Sequence, residues 1–222
     1  MTEFRLDWQR AERVGVSEAV LCEPKSVAQI DAIVSHALEL DERLLLTRLG
    51  ERKFGRLAAP ARAALDYDAV SRTAILGGVP EPRATGRVAV VSGGTSDAPV
   101  AREAARTLAF EGEAATLVHD VGVAGLWRLM ERIDEIRRHR VVIAVAGMEG
   151  ALFSVIAGLV RCPVLAVPSS VGYGVGAGGR TALRAALASC ASGLVVLNID
   201  NGFGAAHAAL RMLGHAAGTA AR

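Results

Sequence analysis

The sequence predicts an α/β protein in which a doubly wound, five-stranded parallel sheet follows a small N-terminal α/β domain. Two observations carry this prediction. Beyond residue 86, short continuous apolar runs alternate with helical segments through five cycles, and such runs are typical of parallel strands that are buried on both faces. A glycine- and proline-rich stretch, Gly77–Gly86, interrupts both periodicities and separates this region from the residues before it.

The N-terminal domain is assigned to residues 1–82. Its predicted strands are "AVLCE" and "LLLTRL", and between them "VAQIDAIVSHALEL" has apolar residues at helical spacing. Ser26 directly precedes this helix, where its hydroxyl can cap the first turn. Because the linker composition is typical of a domain boundary, we expect few contacts to cross it.

The second domain is assigned to residues 83–222. Its alternation of strands and helices indicates right-handed crossovers on both faces of one open sheet. Ligands bind such sheets at the carboxyl ends of the strands, so the loops after the strands are the candidate site. The five predicted strands are Val88–Ser92, Ala115–Val118, Val141–Ala146, Val164–Val167 and Leu194–Ile199.

The composition excludes several classes of protein. The 222 residues carry a formal net charge of +2 with no long basic block, which argues against nucleic acid and favours a small-molecule partner. The three cysteines form no CxxC pair, so neither a zinc site nor a disulfide scaffold is predicted, and a reducing cytoplasm is expected. The N-terminal residues "MTEFRLDWQR" contain no apolar signal core.

One apolar window needs a separate interpretation. Val141–Val160 contains a single charged residue, Glu149, and a membrane-spanning helix needs roughly 20 apolar residues. Gly147 and Gly150 divide this window into a β-branched run and a second apolar segment. We therefore predict a buried strand followed by its packing helix, and no membrane partner.

The loop after the first strand of the second domain, "SGGTSDAPVAREAA", combines glycines with polar residues. Gly93 and Gly94 allow a ligand to approach the backbone closely. Thr95, Ser96 and Asp97 either hold a nucleotide ribose or phosphate at a helix N-terminus or only cap that helix.

The later loops add further candidates. Asp200 and Asn201 offer oxygen ligands to a hard cation such as Mg²⁺, although a tight turn also explains them, as it explains His119 and Asp120. The glycine-rich loop after the fourth strand is long enough to wrap a ligand, and plain flexibility is the alternative. The candidate substrate-binding residues in these loops are His119, Ser169, Ser170, Tyr173, Gly174 and Asn201.

Two residues are candidates for catalysis. Glu149 lies between glycines in apolar surroundings, so we expect burial to raise its pKa towards the range that suits proton transfer. Cys190 lies near the end of the helix before the fifth strand, where it is either a nucleophile or a small packing residue. No nucleotide-binding signature is present, because "GGTSDA" is not GxGxxG and no GxxxxGK[ST] motif occurs.

Taken together, these loops resemble those of a known family. The motifs "SGGTSD", "DVGVAG", "GMEGAL", "AVPSSVGYG", "SCASG" and "NIDNGFG", with "LDWQRAERVGVSEAV", "TR" and "YDAVSRTAILG" before them, cover nearly the whole chain. They resemble the LarB family, pyridinium-3,5-biscarboxylic acid mononucleotide synthases of nickel-pincer cofactor biosynthesis. The catalytic domain of that family is similar to aminoimidazole ribonucleotide carboxylase, which implies a flavodoxin-like sheet.

The resemblance implies that nicotinic acid adenine dinucleotide is carboxylated with CO₂ or bicarbonate at ring carbon 5, and that its phosphoanhydride is hydrolysed to release AMP. Cys190 would add to ring carbon 4, and Glu149 would take the proton from carbon 5. Arg72 could reach a substrate phosphate. No organic cofactor is implied, and Mg²⁺ would be held by Asp97, Asp120 or Asp200. A homo-octamer is also implied.

A thiol near a helix C-terminus faces the negative end of the helix dipole, which raises its pKa. We therefore expect the pyridinium charge of the substrate to activate Cys190.

Two other functions remain open. One is the aminoimidazole ribonucleotide carboxylase or mutase reaction of purine synthesis. The related purine enzymes carry a histidine after the glycines of the third strand, where this chain has "ALFS". The other is a non-catalytic nucleotide-binding module, in which Cys190 and Glu149 only pack.

Overall fold

The computed structural model describes residues 4–82 and 84–214. The N-terminal part forms a four-stranded sheet in the order β1-β2-β4-β3. Strands β1 and β2 are parallel, and β4 is antiparallel to both β2 and β3. The elements are α1 (Arg10–Val14), β1 (Ala19–Leu21), α2 (Val27–Glu39), β2 (Leu44–Thr47), α3 (Glu51–Phe54), α4 (Ala59–Ala64), β3 (Leu65–Asp68) and β4 (Thr73–Leu76).

The predicted start of α2 is confirmed. The Ser26 hydroxyl accepts a hydrogen bond from the Gln29 backbone N–H, and the Gln29 side chain accepts one from the Ser26 N–H. This reciprocal capping box satisfies two backbone donors that the first helical turn leaves free. The helix then buries Ile30, Ile33 and Val34 against the N-terminal sheet.

The second sheet has five parallel strands in the order β6-β5-β7-β8-β9, which confirms the predicted fold class. Every residue of β7 and β8 is buried, as their continuous apolar runs predict. The elements are β5 (Ala84–Ser92), α5 (Ala98–Phe110), β6 (Glu113–Val118), α6 (Leu126–Ile136), β7 (Val141–Ala146), α7 (Ala151–Leu159), β8 (Val164–Pro168), α8 (Arg180–Leu187), β9 (Leu194–Val196) and α9 (Gly202–Met212).

Helices cover both faces of this sheet. One apolar cluster joins α6, α7 and α8 to one face, and a second cluster joins α5 and α9 to the other. The apolar window Val141–Val160 is divided between β7 and α7, as predicted. No helix among the described residues is long and apolar enough to cross a bilayer.

The strand order places the topological switch point between β5 and β7. From β5 the chain crosses to β6 on one side, and it then returns to add β7, β8 and β9 on the other side. The loops that leave β5 and β7 therefore diverge onto opposite faces and open a crevice at the carboxyl ends of these strands.

Helix α5 contacts the N-terminal part through two ion pairs and an apolar cluster, so the expectation that few contacts cross the linker is wrong. Arg102 and Arg106 of α5 form ion pairs with Asp68 and Asp66, each at 3.0 Å. Phe110 packs with buried residues of β2 and β4. These three α5 residues are four positions apart and share one stripe of the helix, a pattern that linker composition does not reveal.

Candidate active site

The loop after β5 forms the floor of the crevice. Thr95–Asp97 make a single 3₁₀ turn, and the Asp97 carboxylate closes it by accepting the Gly94 N–H at 2.9 Å. Its other oxygen accepts the Ser169 hydroxyl at 2.5 Å. No side chain caps α5, which begins at Ala98, so helix capping does not explain the polar residues of this loop.

Asp97, and not Glu149, is the buried carboxyl group with a raised pKa in this site. It is 5% exposed, and burial raises the pKa of its carboxyl although the hydrogen bonds from Ser169 and Gly94 favour the charged form. Glu149 is exposed, so the prediction that it is buried is wrong. The physical reason is that Glu149 lies in the loop before α7, and the apolar residues around it turn away into the core.

The loop after β7 is shaped by a close backbone approach. A Cβ atom on Gly147 would lie 2.1 Å from the Val171 carbonyl oxygen, and the same oxygen accepts the Met148 N–H at 2.9 Å. Only glycine fits at Gly147. This contact holds the loops after β7 and β8 together and presents Glu149 at the mouth of the crevice.

The loop after β6 supplies a residue that the sequence interpretation missed. Arg128, in the first turn of α6, forms an ion pair with Asp120 at 2.9 Å. Both side chains line the crevice. The available signal was an arginine one helical turn after "DVGVAG", in the helix that leaves a candidate loop.

These loops enclose a cavity of about 370 Å³ at the switch point. Its walls bring together the loops after β5, β6 and β7, with one contribution from the loop after β8. Of the sequence-predicted residues, it is lined by Gly93, Gly94, Ser96, Asp97, Asp120 and Glu149.

A second cavity, of about 180 Å³, adjoins the first through Ser96 and Val171. It lies between the N-terminal part and the parallel sheet. Arg72, Ser170 and Asp200 line it as well, together with Arg48, which was not among the candidates. Asp200 accepts the Ser170 backbone N–H at 2.8 Å.

The remaining candidates line neither cavity. Asn201 caps α9 by accepting the Gly204 N–H at 2.8 Å. Ser169 acts on the first cavity only through Asp97, and His119 contacts Ser92 Oγ at 3.1 Å. The others, Thr95, Tyr173 and Gly174, have exposed positions in their loops.

Cys190 is exposed and lies in the loop between α8 and β9, three residues after the helix ends. It is absent from the lining of both cavities. The preceding residue, Ser189, contacts Ser154 of α7 through a hydroxyl–hydroxyl hydrogen bond of 2.7 Å. The residue before Cys190 therefore contacts the helix that follows Glu149, but the thiol and the Glu149 carboxylate do not line one cavity.

The predicted Mg²⁺ ligands do not form a cage. Within the described parts of the chain, no three His, Cys, Asp or Glu side chains are arranged to hold a metal ion. Each candidate already has a partner, since Asp97 binds Ser169, Asp120 pairs with Arg128 and Asp200 accepts the Ser170 N–H.

Backbone strain is concentrated around the two cavities. Six non-glycine residues in the described ranges have positive φ angles, and five of them lie here. Each such residue costs about 1–2 kcal/mol, so the surrounding contacts must hold these loops in place. The five are Arg48, Arg72, Asp120, Met148 and Asp200.

Two domain families match the chain. Residues 1–77 match the LarB/PurE-like N-terminal domain, and residues 87–221 match AIR carboxylase.

An uncharacterized protein of Methanocaldococcus jannaschii is 39% identical over 214 residues, covering 91% of this chain and 80% of that protein. A crystal structure of Treponema denticola PurE2 matches with a TM-score of 0.47 and 19% identity, over 61% of this chain and 81% of the other.

Proposed function

This chain belongs to the LarB family, and its second domain is an AIR carboxylase domain, which indicates a carboxylase-type enzyme. We propose that it is a pyridinium-3,5-biscarboxylic acid mononucleotide synthase. It carboxylates nicotinic acid adenine dinucleotide at ring carbon 5 and hydrolyses the phosphoanhydride. The products are the dicarboxylated mononucleotide and AMP.

The observation that carries this proposal is the cavity at the switch point, where Glu149 is at the mouth and Asp97 is buried in the floor. Glycines Gly93 and Gly94 let a planar ring or a sugar lie against the backbone. Arg128 adds a cation on the α6 side, where it can bind the carboxylate of the substrate ring or of CO₂-derived product.

The proposed chemistry begins with the thiolate of Cys190. A pyridinium ring is electron-poor, and carbon 5 cannot attack CO₂ until electrons are added to the ring. The sulfur lone pair forms a bond to carbon 4, and the ring becomes an enamine whose carbon 5 is nucleophilic. Carbon 5 then bonds to CO₂ as the ring nitrogen becomes an iminium.

Aromaticity returns in the next step. Glu149 takes the proton from carbon 5, the released electron pair forms a second bond between carbons 4 and 5, and the bond from carbon 4 to sulfur breaks so that the thiolate leaves with its electrons. An exposed carboxylate can pass this proton to water, which suits a base that must be regenerated in every turnover. Hydrolysis of the phosphoanhydride consumes one water and releases AMP.

The position of Cys190 bears on the proposed assembly. Cys190 is exposed, and Leu187, three residues before it at the end of α8, is 68% exposed. If copies in the proposed homo-octamer pack against this loop, they would exclude water from the Cys190 thiol, which favours attack on the ring.

Mg²⁺ stays a prediction, and no step is derived through it. A protein cage does not fit, as the three candidate aspartates are separately engaged. Mg²⁺ commonly binds one or two carboxylates together with substrate phosphates, and Asp200 is the candidate beside the second cavity.

The test is mass spectrometry of small molecules after incubation with nicotinic acid adenine dinucleotide and bicarbonate, with and without Mg²⁺. We expect AMP and the dicarboxylated mononucleotide in equal amounts. A parallel incubation supplies aminoimidazole ribonucleotide. Carboxylation of that substrate alone would assign the purine reaction, and no turnover of either substrate would leave a nucleotide-binding module.

A further inference from the structure

The cavity between the N-terminal part and the parallel sheet contains two arginines that the proposed chemistry does not use. Arg48 follows β2, and Arg72 directly precedes β4. Their loops are linked, because the Leu49 N–H donates to the Arg72 carbonyl at 2.7 Å. Both arginines therefore line the cavity from two loops that this hydrogen bond joins.

The two arginines differ in how far they are already engaged. Arg48 donates from Nη2 to the Asp200 carbonyl at 2.9 Å and lies 3.5 Å from a Glu23 carboxylate oxygen. The Arg72 side chain has no hydrogen bond or ion pair to any described residue. A guanidinium has five N–H donors, so this cavity has donors that the protein leaves unused.

A helix N-terminus reinforces these charges. Ser96, Pro99 and Val100 line the same cavity, and they belong to the first turn of α5 and the residues before it. This 13-residue helix has no side-chain cap. The positive end of its dipole favours an anion at this position, although Pro99 has no N–H and the Ala98 N–H already donates to the Thr95 carbonyl.

The acidic residues of the cavity are already engaged. Glu103 is buried and accepts the Phe203 N–H at 3.3 Å, and Asp200 accepts the Ser170 N–H. Neither is ion-paired with Arg72. Glu103 interacts electrostatically with Arg48 and Arg72, but the Arg72 guanidinium keeps hydrogen-bond donors that no described residue uses, beside the N-terminus of α5, and such donors recognise phosphate.

We propose that the interdomain cavity is a phosphate site, in which Arg48 and Arg72 bind the diphosphate of the substrate and retain the phosphate of the departing AMP. The inference rests on the proposed function for the identity of the dinucleotide, while the anion site itself rests on the cavity. It gives the N-terminal domain a role, since it contributes both cations. Because Ser96 and Val171 border both cavities, a bound diphosphate would leave the pyridinium ring in the larger one.

The test uses the full-length protein and isothermal titration calorimetry with AMP and with inorganic pyrophosphate at low salt. We expect Arg72→Gln and Arg48→Gln each to weaken binding at least about tenfold. Arg132→Gln is the matched control, because Arg132 lies on α6 and is paired with Glu135. It removes the same charge from a residue that lines neither cavity, so the affinity of this variant should equal that of the wild type.

Thermal melts establish that each variant is folded, and Arg72→Lys serves as a second variant that keeps the charge and should bind with intermediate affinity. Failure of the wild type to bind either anion, or equal binding by wild type and both glutamine variants, would overturn the phosphate site. If AMP binding depends on both arginines while no carboxylated product forms, the anion site stands and the proposed function falls.

Discussion

Cys190 is the residue on which the proposed chemistry depends most. It is exposed and outside both cavities, so Cys190→Ser should change the free energy of unfolding little. Serine is far less ionised than a thiol near neutral pH, and product formation should be lost. With a pyridinium dinucleotide, the wild type should show dihydropyridine absorbance and an intact-protein mass increase of one ligand.

Cys162→Ser is the control for this experiment, because Cys162 is also a free cysteine and is partly buried. That variant should form the adduct as the wild type does. Product formation by Cys190→Ser at the wild-type rate would rule out covalent catalysis by Cys190.

Glu149 and Asp97 compete for the role of the base, and their surroundings differ. Glu149→Gln should lower turnover on the order of 10²-fold, as expected for loss of a general base, with little change in stability since the side chain is exposed. Steady-state rates and denaturant unfolding measure both effects. If turnover is unchanged in Glu149→Gln and lost in Asp97→Asn, the base that takes the proton is the buried Asp97.

At the scale of single elements, the start of α2 has a local determinant that can be isolated. Ser26→Ala removes the side-chain acceptor of the capping box and should lower the free energy of unfolding by about 1 kcal/mol. Ser35→Ala is the matched control, because Ser35 is exposed inside the same helix. Urea unfolding of both variants measures the difference, and equal stabilities would show that the cap contributes nothing.

The C-terminus of α5 is connected to the segment before β1 and to α9 through Glu111. Burial raises the pKa of this carboxyl, but His207, 3.6 Å away, and the Ser17 N–H, at 2.8 Å, outweigh that effect and lower it. A lowered pKa means that Glu111 stabilises the fold above its unfolded value of 4.5 and that this stability is lost as pH falls through the folded pKa.

Glu111→Gln should therefore be less stable than the wild type at pH 7, and the difference should shrink as pH falls below about 4.5. Unfolding free energies of both proteins measured between pH 7 and pH 3 test this. A stability difference that does not vary with pH would contradict it.

At the scale of the whole molecule, the N-terminal part and the parallel sheet stabilise each other. A chain that begins at residue 83 loses the partners of Arg102, Arg106 and Phe110. Exposure of the Phe110 ring, which is 2% exposed in the full chain, should alone cost about 2 kcal/mol. We expect a lower thermal midpoint than that of the full chain by circular dichroism, and equal midpoints would show that the domains are independent.

The sequence by itself determined the parallel sheet, because each strand is buried on both faces and this leaves a local apolar signature. It also determined the start of α2, where Ser26 and Gln29 are three residues apart. The β3–β4 pair was missed, since "LDYD" and "TAIL" are too short to show a period. The composition predicted where the linker lies. It did not predict that one side of α5 packs against the N-terminal part.

The sequence predicted which loops form the candidate site, but not how the side chains in them are buried and paired. Loops at the carboxyl ends of the strands could be named from the sequence, since the topology brings those ends together. Only the tertiary structure decided that Asp97 is buried while Glu149 is exposed, that Arg128 pairs with Asp120, and that Cys190 lies outside both cavities. Burial and pairing depend on residues far apart in the chain, and no local pattern records them.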